Sequence, residues 1–341
     1  MRTSKTSSPI IAAVLHQVAL ERKSAASFGL YRSGFAPPSR LSCGTVSINA
    51  YRQESAMGQP ALVTPPQRAD YTIDQPWNDY TAADHQVWRT LFERQAALLP
   101  GRACNEFLAG LTGLGVAADG IPNFERLSEI LLKTTGWRIV AVPGLVPDDV
   151  FFDHLANRRF PAAWWIRKPE EMDYIEEPDV FHDIYGHVPL LMDPVFADYM
   201  QAYGQGGLKA QSLGALTNLA RLYWYTVEFG LIRTAEGLRI YGSGILSSKG
   251  ESVFSLDSPA PNRLGFDLMR IMRTKYRIDT FQKSYFVIDS FAQLFDATRP
   301  DFTPHYERLK NLPDLGSGDV APGDVVLQRG TLEGWADTAD V

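Results

Sequence analysis

Two of the chain's six histidines stand five positions apart in Glu177-Pro-Asp-Val-Phe-His-Asp-Ile-Tyr-Gly-His-Val-Pro189. Neutral imidazole is the commonest protein ligand for transition metals. On an ideal helix of about 3.6 residues per turn, His182 and His187 point roughly 140° apart. Gly186 and Pro189 predict that the helix ends here, which lets His187 turn back toward His182. Glu228 offers a third donor from the apolar run Leu222-Tyr-Trp-Tyr-Thr-Val-Glu-Phe-Gly-Leu231. Burying a carboxylate in such a run is costly unless something positive meets it. Two histidines and one carboxylate, with the remaining positions open, are the ligand set of non-haem Fe(II) oxygenases. On residues alone, the pair also suits ordinary buried histidines, and Glu228 a helix-rim acid. The adjacent His182-Asp183 also fits a divalent-metal phosphohydrolase, which would need more acids and a basic phosphate grip; only Arg167 and Lys168 lie near in sequence.

Three stretches in order carry a resemblance. They are the segment Glu177 to Pro189, the segment Tyr223-Trp-Tyr-Thr-Val-Glu-Phe-Gly230, and Tyr241-Gly-Ser-Gly-Ile-Leu-Ser-Ser-Lys-Gly-Glu251. Together they resemble the pterin-dependent aromatic amino acid hydroxylases, over roughly Tyr71 to Leu312, and most closely the short bacterial members that act on phenylalanine. The resemblance implies a mainly α fold with a few short β-strands, a single-domain helical basket around the site. It implies Fe(II) held by His182, His187 and Glu228, with a tetrahydropterin (tetrahydrobiopterin or a bacterial analogue) beside it. Gly144, Leu145, Val146 and Phe151 match the pterin contacts. Arg167 matches the arginine that grips the substrate carboxylate, with Asp179 behind it. Tyr174, Pro178, Trp224, Phe229, Ser247 and Val287 fall to the substrate site. Asp183 and Tyr223 fall beside the ligands as catalytic-site residues. Trp224 matches a tryptophan of the phenylalanine and tyrosine enzymes, and Val287 stands where tyrosine enzymes carry an aspartate. The implied reaction is L-phenylalanine plus O2 to L-tyrosine, the alternatives within the family being tryptophan or tyrosine as substrate. Separate enzymes would recycle the pterin.

Composition sets the frame. The chain has 341 residues, is 45% hydrophobic and carries a net charge of −6, so nothing points to nucleic acid. No apolar run approaches the ~20 residues of a membrane span. Cys43 and Cys104 are the only cysteines, too few for a disulfide framework, and the expected setting is cytoplasmic. Residues 1–56 hold seven basic and two acidic residues, which leaves −11 for the remainder. They read as a disordered or extraneous extension, with an organelle-type leader as the alternative.

The expected catalytic domain spans 70–312. Thr81 caps a predicted helix to about Leu99, Cys104 to Leu111 reads as a second, and Asn123 caps a third over Phe124 to Thr134. Trp137 to Val142 reads as a strand, and Asp148 opens a helix to about Asn157. Trp164 to Arg167 reads as a short strand. Pro194–Tyr203 and Ser212–Thr234 read as helices parted by Gly204-Gln-Gly-Gly207. Tyr241 to Glu251 reads as a turn-rich loop, Phe266 to Tyr276 as helical, Tyr285 to Ile288 as a strand, and Ser290 to Phe295 as a helical turn. Residues 313–341 lack a heptad run and read as a flexible tail, so a monomer is expected.

Overall fold

The structure, a computed structural model, describes residues 65–335 apart from Tyr174, Glu176 and Asp279. The amino-terminal extension and Tyr174 therefore lie outside the described residues.

The fold is mainly helical with short strands. The first layer is α1 (Ala82–Leu98), α2 (Asn105–Leu114) and α3 (Phe124–Thr134). Thr81 and Asp84 form a reciprocal capping box on α1, and Asn123 accepts the Arg126 N–H at the start of α3. β1 (Arg138–Val142) pairs in parallel with β2 (Arg159–Ala163), and α4 (Asp148–Ala156) makes the crossover between them. A π-helix (Phe181–His187) runs into a 3-10 turn (Val188–Met192), then into α5 (Pro194–Ser212) and α6 (Leu216–Tyr223), which ends as a second π-turn (Trp224–Glu228).

After these come β3 (Leu231–Thr234), β4 (Gly237–Ile240), α7 (Ser243–Leu246), α8 (Lys249–Asp257), β5 (Asn262–Gly265), α9 (Leu268–Ile271), β6 (Ser284–Ile288), α10 (Phe291–Thr298), α11 (Thr303–Leu309) and β7 (Val326–Gln328). The second sheet has the order β4-β3-β6-β5-β7. One apolar core runs between the layers and includes Trp88, Trp137, Phe152, Phe181, Tyr185 and Tyr285.

Several expected elements differ. The segment Trp164 to Arg167 is not a strand; β2 precedes it and contains Pro161. Its backbone is satisfied elsewhere: Tyr80 Oη donates to Trp164 O, Val180 N–H donates to Trp165 O at 2.8 Å, and Arg167 N–H donates to Asp179. The Gly204–Gly207 stretch does not break a helix, because α5 runs through it. A Cβ at Gly204 would lie 2.4 Å from Ala156 N, and one at Gly207 would lie 1.9 Å from Phe152 Cδ1. These glycines let α5 pack directly on α4. The break falls at Gly214, which has φ of 66°. The predicted helix to Thr234 stops at Glu228 and gives way to β3. The Tyr241–Glu251 loop is largely helical, with Ser248 capping α8 through the Glu251 N–H. The Phe266–Tyr276 helix shrinks to α9.

Residues 313–335 do not form a flexible tail. β7 pairs antiparallel with β5. Asp314 accepts two hydrogen bonds from buried Arg221, at 2.7 and 2.9 Å, and Asp324 accepts from buried Arg270 at 2.9 Å.

Candidate active site

Both histidines lie on the π-helix. A π-turn bonds residue i to i+5 instead of i+4, so residues five apart stack on one face. The helix therefore does not end at Gly186, as the Gly/Pro signal predicts; it widens, and that winding brings the rings together. His182 Nε2 and His187 Nε2 are 3.1 Å apart. Glu228 closes the second π-turn, with Oε1 3.2 Å from His187 Nε2 and Oε2 3.6 Å from His182 Nε2.

Two ligands at about 2.1 Å from one ion and at right angles to each other stand about 3 Å apart, so this spacing fits a shared metal. The three are the only His/Cys/Asp/Glu group with metal-ligand spacing among the described residues. One donor set of two nitrogens and one carboxylate suits iron(II) and leaves positions open.

The surroundings favour the ligating protonation states. Burial pushes the His182 imidazolium down to about 4, against the pull of Glu228, so the ring is neutral at pH 7. Burial raises Glu228, but the charges of His187 and His182 and hydrogen bonds from His187 and Ser243 outweigh it and hold the carboxylate at about 2. Ser247 Oγ donates to Ser243 O at 2.8 Å, so it accepts from His182 Nδ1, 2.9 Å away. That fixes the proton on Nδ1 and leaves Nε2 for a metal.

A cavity of roughly 690 Å3, counting its mouth, opens beside this cluster. Gly144, Leu145, Val146 and Phe151 form part of its wall, and Glu177, Pro178, His182, Asp183, His187, Tyr223 and Glu228 also line it. Phe151 meets Tyr223 edge-on, ring centres 6.0 Å apart. An apolar shelf with an aromatic ring, next to the three donors, suits a flat heterocycle such as a pterin. Sequence reasoning missed Phe160, Pro161 and Ala163, which β2 contributes to the same wall. The short apolar run Phe160 to Ala163 was the available signal.

Asp183 accepts the Ala163 N–H through Oδ2 at 2.7 Å, and burial raises its carboxyl to about 7. Tyr223 is likewise pushed well above the ordinary phenol range by burial and by Glu228.

The other expected site residues sit outside that wall. Arg167 Nε and Nη2 donate to Asp179 at 2.8 and 2.9 Å, and both side chains are buried. Burial opposes the Asp179 charge, but Arg167 and two backbone N–H donors hold its carboxyl below the usual range. Trp224 stacks on Tyr276 at 4.4 Å and packs against Phe229 at 4.7 Å, and its Nε1–H donates to Gln282 Oε1 at 3.0 Å. Gln282 is a contact that sequence reasoning did not single out. Val287 lies mid-strand in β6, paired with Leu231 and Gly265, and is buried.

The sequence profile of the family described as biopterin-dependent aromatic amino acid hydroxylase matches residues 67–309. The chain belongs to that family. Among similar members, the phenylalanine-4-hydroxylase of Ralstonia nicotianae is 72% identical over 274 residues, 80% of this chain and 88% of the relative. That of Chromobacterium violaceum is 66% identical over 272 residues, 80% of this chain and 92% of the relative. A crystal structure of the C. violaceum hydroxylase with bound Fe(III) superposes with a TM-score of 0.75 at 66% identity, covering 77% of this chain and 96% of that one. The iron- and phenylalanine-bound form of that hydroxylase gives 0.74 at 61%, covering 83% and 100%. Membership in this hydroxylase family disposes of the phosphohydrolase alternative.

Proposed function

We propose that this chain hydroxylates L-phenylalanine at the para carbon to give L-tyrosine, with O2 as oxidant and an iron(II)–tetrahydropterin pair as cofactors. The observation that carries the substrate choice is the 72% identity to a phenylalanine-4-hydroxylase across 88% of that relative.

His182, His187 and Glu228 would hold the iron, and the wall from Gly144 to Phe151 would take the pterin. Iron and pterin together supply the activation of O2 that an unreactive arene requires. The chain's own residues do the rest. Arg167 spends Nε and Nη2 on Asp179 and keeps Nη1 for the substrate carboxylate, a charge-assisted contact on a pre-oriented fork. Pro178, Trp224 and Phe229 pack the phenyl ring, with the Trp224 indole held by Gln282. Apolar walls exclude water from the reacting centre. Asp183 has Oδ2 committed to Ala163 N–H, so the proton of its neutral form sits on Oδ1, where it orders water beside the ligands.

The Trp224 ring also fills space that an indole substrate would need. Competition kinetics test the assignment. A higher kcat/KM for phenylalanine than for tyrosine or tryptophan is expected, and a higher value for either competitor refutes it. The chain works as a monomer in the cytoplasm, and separate enzymes return the oxidised pterin.

A further inference from the structure

Ser243 opens α7 directly over the metal cluster, and it is only 1% exposed. The approach depends on Gly186 in the π-helix: a Cβ there would come within 3.0 Å of Ser243 O and 3.2 Å of Ser243 Cβ. The Ser243 hydroxyl lies 3.0 Å from Glu228 Oε2, 3.0 Å from His187 Nε2 and 3.1 Å from Val227 O.

A hydroxyl has one proton to give. An imidazole nitrogen that ligates a metal has no lone pair left to accept it. Between the remaining two acceptors the carboxylate is charged and the carbonyl is not, and charge-assisted hydrogen bonds are about twice as strong. We propose that Ser243 is a positioning residue for the metal carboxylate, its hydroxyl holding Glu228 Oε2 so that the group stays aimed at the ion. With Ser247 serving His182 four residues later, one helical turn would then orient a ligand from each of the two π-segments.

This inference rests on the three-donor metal site proposed above, and the test separates the two. Co(II) is titrated into the metal-free full-length chain, against a competing chelator, for wild type, S243A and Glu228→Ala. Melting temperature is read with and without the metal, together with the Co(II) visible spectrum. Loss of an outer hydrogen bond to a ligand typically costs about 10- to 100-fold in metal affinity. S243A is expected to bind Co(II) about tenfold more weakly, at the low end of that range, with an altered spectrum and a smaller metal-induced rise in melting temperature.

Unchanged affinity and spectrum in S243A overturn the inference. So does an equal fall in melting temperature with and without metal, which marks a packing role alone. If wild type and Glu228→Ala bind alike, the metal site itself is wrong, and Ser243 falls with it. S243G, which also removes the hydroxyl and adds no metal ligand, is read the same way should S243A not fold.

Discussion

Asp179 Oδ1 accepts hydrogen bonds from Arg167 Nη2 at 2.9 Å and from the backbone N–H of His182 at 3.0 Å. One buried oxygen thus ties the guanidinium proposed to meet substrate to the first residue of the metal cluster. Removing one partner of a buried ion pair leaves the other uncompensated, at a cost of about 3–5 kcal/mol. Asp179→Ala is expected to lower unfolding stability by that order in a denaturant titration, and to raise KM for phenylalanine. A change well under 1 kcal/mol would mean that Arg167 finds another partner.

The carboxyl-terminal segment makes a second prediction. Arg221, Arg263 and Arg270 are buried, and their partners Asp314, Gln328 and Asp324 lie beyond Leu312. A chain ending at Leu312 removes the carboxylate partners of Arg221 and Arg270, takes Gln328 from Arg263, which keeps Ser255 O and Ser258 O, and exposes the β5 edge. It is expected to be insoluble or to melt far below the full chain. Equal melting temperatures for the two would contradict the docked arrangement.

The buried Glu251 predicts a pH effect. It accepts from Tyr285 Oη at 2.7 Å and from Gln282 N–H, and burial lifts its carboxyl to about 7. The folded state therefore binds a proton that the unfolded state has lost, so stability falls as pH rises from the ordinary glutamate range to about 7. The loss is on the order of 3 kcal/mol. Glu251→Gln keeps an acceptor and removes the titration. The difference in stability, variant minus wild type, should grow more positive between pH 5 and pH 8. A difference that stays flat across that range rules out the buried proton.

Val287→Asp is expected to unfold the chain without changing its substrate. The side chain stands buried in a central strand, where a carboxylate would have no partner. A soluble variant of normal melting temperature that accepts tyrosine would overturn this placement.

Caps and periodicity made α1 and α3 legible, because Thr81, Asp84 and Asn123 act on their own neighbours. The three metal donors were legible as residue types. Their geometry was not, since the π winding that unites His182 and His187 has no local signal separate from a helix stop. Gly204 and Gly207 misled for a related reason: their role is contact with α4, which the local sequence does not show. Ser243, Gln282 and β2 act through residues tens of positions away. The docking of residues 313–335 depends on arginines scattered between 221 and 270, while local composition there is rich in glycine and aspartate.

The most direct measurement is tyrosine formation from phenylalanine by the iron-loaded chain, with tetrahydropterin present or omitted and with Glu228→Ala alongside. Tyrosine should appear only with both cofactors, in step with pterin oxidation, and not with the variant. Tyrosine formed without iron or pterin, or unchanged in Glu228→Ala, would contradict the account, as would a loaded, folded chain that makes none.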